Sequence, residues 1–197
     1  MSDSTLAYYD DNAATFFAST VQADMTAHYT AFLQHLKPNA NILDLGCGSG
    51  RDSKFFIDNG YAIEAIDGSL ELCKIASEHI GKPVRHLEFE ELDYTEAFDA
   101  VWACSSLLHI PKEKLHKIFL KINHSLKKHG ILYSSFKYGH FSGERNGRFF
   151  TDLTEQDFNQ IIDSTKCFSI VEMTISYDVR PDRSGEKWLN TIIRKIL

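Results

Sequence analysis

The stretch ILDLGCGSGRD at residues 42–52 constrains the fold more than any other part of the chain. An apolar run breaks there into three glycines within five positions and then resumes with helical spacing. Glycine accepts positive φ and lets backbone or ligand approach where a Cβ would intrude. The pattern therefore reads as a strand, a tight turn and a helix. A second run at residues 61–66 ends in Asp67, 21 residues beyond Gly46, and Ser69 is placed to N-cap the helix that follows.

The same alternation extends along the chain. Val21, Met25, Tyr29, Phe32, Leu33 and Leu36 recur at helical steps and predict a helix over residues 21–36, stopped before Pro38. Strands are expected at 41–45, 61–66, 84–89, 98–104 and 131–136. Helices are expected through Phe55 to a cap at Gly60, through Leu72 and Ile80 to Gly81, and from Pro111 through Leu115, Ile118, Phe119, Ile122 and Leu126 to Gly130. Residues 137–150 read as a loop. Thr154 and Asp157 then suggest a capped helix through Phe158 and Ile162, and strands at 171–177 and 188–196 flank another loop. Alternating strands and helices imply right-handed crossovers and a parallel sheet; two final strands without a helix between them imply an antiparallel hairpin. The expected fold is α/β: a doubly wound, mostly parallel seven-stranded sheet with helices on both faces and an antiparallel edge hairpin.

With 197 residues, one domain is expected. A net charge of −6 argues against a chain that is basic overall. Cys47, Cys73, Cys104 and Cys167 are widely spaced, with no C-x-x-C pair and no His at metal spacing, so reduced thiols and no metal site are expected. No basic-then-apolar leader and no membrane-length apolar run occurs, which suggests a cytoplasmic protein without a membrane partner. No feature specifies an oligomeric state.

In a doubly wound sheet the ligand lies beyond the carboxyl ends of the strands. A dinucleotide site wants G-x-G-x-x-G, but Arg51 stands where the third glycine belongs and the spacing is G-x-G-x-G. Asp67, at the end of the second strand, is placed to accept hydrogen bonds from ribose hydroxyls. With these residues the chain resembles the class I S-adenosylmethionine-dependent methyltransferases. Most of its length takes part: the glycine motif, Asp67, the fourth-strand segment FDAVWAC and the terminal hairpin follow in the family's order. The resemblance implies S-adenosylmethionine as cofactor. By it, Gly46, Gly48 and Gly50 approach the amino-acid part, Asp67 holds the ribose and Asp44 organises the methionine end. Glu88 and Phe89 fall in the segment that lines the adenine, Phe89 replacing the usual small residue. Ala103 and Cys104 pass beside the sulfonium. Tyr9, in YYDDNA, resembles a lid entry whose ring covers the methionyl group, or else packs the first helix on the sheet.

Methyl transfer is an in-line displacement at an activated carbon, so alignment carries much of the rate and a base is required only for a protonated acceptor. His109, in SSLLHIP after the fourth strand, is the candidate catalytic base, unless it merely orients the turn before Pro111. Cys104 reads as a small filler. The fourth strand lacks the Asn/Asp-Pro-Pro-Tyr/Phe ending associated with amino methylation of adenine or glutamine. His140, Arg145 and Arg148 in the loop after the fifth strand, with Arg180 in the last loop, are candidate substrate-binding residues for an anionic or planar acceptor.

The resulting expectation is a methyltransferase domain over residues 1–197, with an N-terminal helical lid (1–37), a cofactor-binding core (38–137) and a substrate loop with edge hairpin (138–197). Its acceptor is a small molecule methylated on O, N or S. The rivals are a tRNA-modifying enzyme, with RNA as partner through Arg145, Arg148, Arg180 and Arg183, and a non-catalytic sensor of S-adenosylmethionine or S-adenosylhomocysteine.

Overall fold

A computed structural model describes residues 2–196, with the backbone alone at residue 182, so the terminal residues of the expected domain, Met1 and Leu197, lie outside it. Seven strands form the main sheet: β1 (Asn41–Leu45), β2 (Ala62–Asp67), β3 (Arg85–His86), β4 (Phe98–Ala103), β5 (Leu126–Lys137), β8 (Phe168–Tyr177) and β9 (Lys187–Lys195). Their order is β3-β2-β1-β4-β5-β9-β8. Pairings from β3 through β5 are parallel, while β9 runs antiparallel to both β5 and β8. The sheet is the expected one, hairpin included.

Side chains alternate across each strand, so each face draws its own helices. Ile42, Ala100, Trp102 and Tyr133 meet α3 (Thr26–Leu33) and α4 (Arg51–Asp58) through Tyr29, Phe32 and Phe56. Leu43, Val101, Leu132 and Phe136 meet α6 (Lys112–Ser125) and α7 (Glu155–Thr165). Helix α5 (Leu70–Ile80) packs Cys73, Ala76 and Ile80 beside Ala65 of β2. Each fully buried large apolar side chain contributes about 1.5–3 kcal/mol, and these layers hold the strand ends in register.

The N-terminal region departs from expectation. Instead of one helix over 21–36, the chain forms α1 (Asp3–Asp11), α2 (Ala13–Thr20) and α3. The Asp24 carboxylate accepts the Thr26 N–H at 2.9 Å, which starts a new helix after the break. The third strand shrinks to two residues, because Glu88 and Glu91 cap each other around a 3-10 turn at Phe89–Glu91. Helix α6 stops at Ser125, since Leu126 already pairs with Phe98 of β4; His129, at φ 63°, and Gly130 lie inside β5. The expected loop after β5 contains a separate hairpin, β6 (Ser142–Arg145) and β7 (Arg148–Thr151). Among the described residues, no helix is long and apolar enough to cross a membrane.

Candidate functional site

A cavity opens at the carboxyl ends of β1, β2, β4 and β5, where the strand order reverses between β1 and β4. Gly46 and Gly48 line it after β1, Asp67 at the end of β2, and Cys104 and Ser106 after β4.

The glycine turn is shaped for close approach. Gly46 has φ 81°, and a Cβ there would lie 2.6 Å from the Ser106 Cβ and 3.1 Å from the Phe89 ring. The Gly48 N–H donates to Asp67 Oδ2 at 2.8 Å, and the Ser69 N–H donates to Oδ1 at 2.9 Å. These bonds aim the carboxylate at the turn and leave it further lone pairs. Burial raises its pKa, opposed by the same N–H groups. Asp10 of α1 accepts the Ser69 hydroxyl at 2.6 Å, tying the N-terminal helices to the start of α5. The buried Ser106 Oγ has no hydrogen-bond partner among the described residues.

Behind the turn lies a buried polar hub. Asp52 accepts from Arg51 Nε (2.6 Å), Tyr29 Oη (2.5 Å) and Trp102 Nε1 (2.8 Å). Burial alone would raise the Asp52 pKa, but Arg51 and these donors hold it below the usual range. Both Arg51 and Asp52 face the cavity.

Helices α1 and α2 supply another wall through Tyr9, Phe16 and Thr20. The Tyr9 hydroxyl lies 2.8 Å from His109 Nε2. His109 Nδ1 is 2.7 Å from the Phe149 carbonyl. A carbonyl only accepts, so Nδ1 carries the proton and Nε2 accepts from Tyr9. Burial pushes the His109 pKa down to about 4, helped by Arg148, so the ring is neutral at neutral pH. Burial raises the Tyr9 phenol.

The outer wall comes from the sheet edge. Arg180 pairs with Asp178 at 2.7 Å, and Asp178 also accepts from Trp188 Nε1 at 3.0 Å. Lys137 pairs with Glu186 and lies 4.4 Å from the Trp188 ring centre. Burial, together with Arg180, Arg183 and Arg145, lowers the Lys137 pKa to about 8 although Asp178 opposes them.

Of the residues singled out from the sequence, Tyr9, Gly46, Gly48, Asp67, Phe89, Cys104, His109, Arg148 and Arg180 line this cavity. Six do not. Asp44 is buried behind the turn, where its carboxylate accepts the Ser53 hydroxyl at 2.6 Å. Burial and the nearby Asp52 charge raise its pKa to about 8. Gly50 begins α4 at φ 75° against Ile80 and Ala76, serving helix packing. Glu88 caps the 3-10 turn, and Ala103 points into the core on the other face. His140 is exposed beside Asp157, and Arg145 pairs with Asp152 beneath the rings of Phe141 and Phe150. The Cys104 thiol is raised to about 12 by burial, consistent with a filler. Sequence reasoning missed Phe16, Ser106 and the Asp52 hub. Ser106 had a local signal, since it follows the fourth strand at the same level as the glycine turn.

Comparison with known proteins gives a consistent picture. A family model described as a methyltransferase domain matches residues 42–130. A phosphoethanolamine N-methyltransferase from Triticum aestivum is 33% identical over 115 residues, 53% of this chain and 22% of the relative. The chain thus spans less than a quarter of that relative's length. The structure of a Burkholderia thailandensis 1,6-didemethyltoxoflavin-N1-methyltransferase, with bound 1,6-didemethyltoxoflavin and S-adenosylhomocysteine, superposes with a TM-score of 0.75 at 22% identity, covering 96% of this chain and 84% of that one. The cyclase SpnF shares the fold at a TM-score of 0.72 and 17% identity, covering 96% and 94%. One architecture therefore serves more than one chemistry.

Proposed function

We propose that the chain is a class I S-adenosylmethionine-dependent methyltransferase, that its cavity binds S-adenosylmethionine and that it transfers the methyl group to a small-molecule O, N or S acceptor; the methyltransferase-domain model matched at residues 42–130 and the shared fold support this reading. One observation carries the reading. Asp67 is held by Gly48 and Ser69 beside a turn whose Gly46 leaves no room for a Cβ. That donor and acceptor set fits a ribose with an amino-acid tail, and the buried Phe89 backs the cavity wall beside Gly46.

Bound there, S-adenosylmethionine supplies a methyl group already activated on sulfur. Asp67 accepts hydrogen bonds from the ribose hydroxyls, and the unpartnered Ser106 hydroxyl gains a partner. Helices α1 and α2 act as a lid over residues of the core, excluding water through Tyr9 and Phe16. His109 is a positioning residue: neutral and bonded to Tyr9, it fixes the phenol toward the reacting region. A ring with a pKa near 4 is a poor proton acceptor at neutral pH, so alignment carries more of the rate than base catalysis. The four cysteines are free thiols, as suits a reducing cytoplasm, which we propose as its setting.

Incubation with methyl-labelled S-adenosylmethionine and fractionated cell extract tests the proposal. Label in the small-molecule fraction is expected. Label in RNA would identify a tRNA-modifying enzyme instead, and cofactor binding without any transfer would identify a sensor.

A further inference from the structure

The cations lining the cavity differ in how their charge is met. Arg51 has Asp52, Arg180 has Asp178 and Lys137 has Glu186. Arg148, on β7, has no carboxylate partner among the described residues. Its Nε is buried without a hydrogen-bond partner, and its Nη1 reaches the Tyr9 hydroxyl only at 3.4 Å. The rings of Tyr8, Tyr9 and Phe150 surround the guanidinium, with centroids 4.4, 5.6 and 5.2 Å away. Aromatic faces attract a cation but accept no in-plane N–H bond, so the Nε edge stays unsatisfied.

A guanidinium keeps its charge in any protein environment, and its planar fork matches two oxygens of one anion. Arg148, whose Nε edge is unmet, lines the same cavity as Tyr9, His109, Asp67 and the glycine turn. Resting on the methyltransferase reading, we propose that the methyl acceptor is a small organic anion whose carboxylate or phosphate group binds Arg148 at this edge. The group then sits beside the Tyr9 hydroxyl, which His109 holds in place. The sequence motif had grouped His140 and Arg145 with Arg148; their partners, Asp157 and Asp152, remove them from this role.

Two readouts test the proposal. In the first, inorganic phosphate, benzoate and the neutral benzamide are titrated by thermal shift into wild-type protein, Arg148→Gln and Arg148→Lys, each with and without S-adenosylhomocysteine. At least one anion should raise the wild-type melting temperature while benzamide does not. Arg148→Gln should weaken that response by about tenfold or more, and Arg148→Lys should retain part of it. An equal response in Arg148→Gln, or no anion response in wild type, overturns the proposal. So does a loss of about tenfold in S-adenosylhomocysteine affinity in Arg148→Gln, which would make the cofactor's own carboxylate the counter-ion. Because the arms without cofactor read Arg148 directly, failure of cofactor binding would count against the methyltransferase reading alone. In the second readout, the labelled product from extract should be retained by an anion exchanger at neutral pH. A neutral product, or label confined to RNA, overturns the assignment.

Discussion

The hydroxyl of Tyr9 and Nε2 of His109 lie 2.8 Å apart, joining the first helix to the segment after β4 across a hundred residues of chain. The Phe149 carbonyl on β7 fixes the other ring nitrogen as donor, so three separate elements determine one tautomer. The N-terminal wall of the cavity is thereby latched to its floor.

Replacing Tyr9 by Phe removes the hydroxyl but keeps the ring. The expected result is a fall in kcat of about 10- to 100-fold, with the KM for S-adenosylmethionine within about threefold of wild type. His109→Gln, whose amide oxygen can accept from Tyr9, should retain more activity than His109→Ala. Steady-state kinetics on the three variants checks both statements.

The lowered pKa of His109 has a signed consequence for stability. From about 4 in the folded protein to 6.5 in the unfolded chain, the unfolded state binds more protons, so stability rises with pH across that window. The contribution is whole above 6.5 and is lost as pH falls toward 4, an effect on the order of 3 kcal/mol. Burial lowers the pKa of His28 as well, but that slope is common to wild type and variant. Chemical denaturation between neutral pH and pH 4 should show a steeper acid loss in wild type than in His109→Asn.

The two buried aspartates should respond oppositely to the same substitution. Asp52 is an ionised hub for Arg51, Tyr29 and Trp102, so Asp52→Asn should cost about 3–5 kcal/mol. Asp44, raised to about 8, is protonated at neutral pH, and Asn still accepts the Ser53 hydroxyl. Below pH 3.8, where Asp44 is protonated in both states, Asp44→Asn should therefore stay within about 1 kcal/mol of wild type, and at neutral pH the variant should be the more stable. A raised pKa also means that the folded state keeps a proton which the unfolded chain gives up, so stability falls as pH rises from 3.8 to about 8; the Asn variant should lose that decline. Denaturant titrations across pH measure both.

The glycines of the motif separate in the same way. A Cβ on Gly50 would meet Ile80 at 3.0 Å and Ala76 at 3.2 Å, with φ at 75°. Gly50→Ala should lower the melting temperature through strain between α4 and α5. A Cβ on Gly46 would press on Ser106 and Phe89 within the cavity. Gly46→Ala should weaken S-adenosylmethionine binding by about tenfold or more beyond its effect on stability, read by calorimetry beside melting curves.

Features written locally in the chain were legible in the sequence. The apolar run before Gly46, the capping Ser69 and Asp67 at a strand end marked β1, β2 and the glycine turn that borders the cavity. The hairpin of β6 and β7 carried a clear sign, Asn146-Gly147, with φ values of 51° and 76° and Arg145 paired to Arg148, the pattern of a tight two-residue turn. It was hidden because few apolar residues alternate around it. The candidate site residues that lie off the cavity could not be told from the others by local reading. Whether Asp44 or Asp67 faces the cavity depends on which side of the glycine turn each carboxylate finds its donors, Ser53 behind it or Gly48 in front. The partner of His109 was also beyond local reading, because Tyr9 arrives from a separate helix.

The most direct measurement is a calorimetric titration of S-adenosylmethionine into wild-type protein and Asp67→Ala, with a melting curve for each. Saturable single-site binding to wild type, weakened by about tenfold or more in a cooperatively folded Asp67→Ala, is the expected result. Equal affinity in the two proteins would contradict the placement of the ribose at Asp67. No binding to wild type would contradict the cofactor site itself.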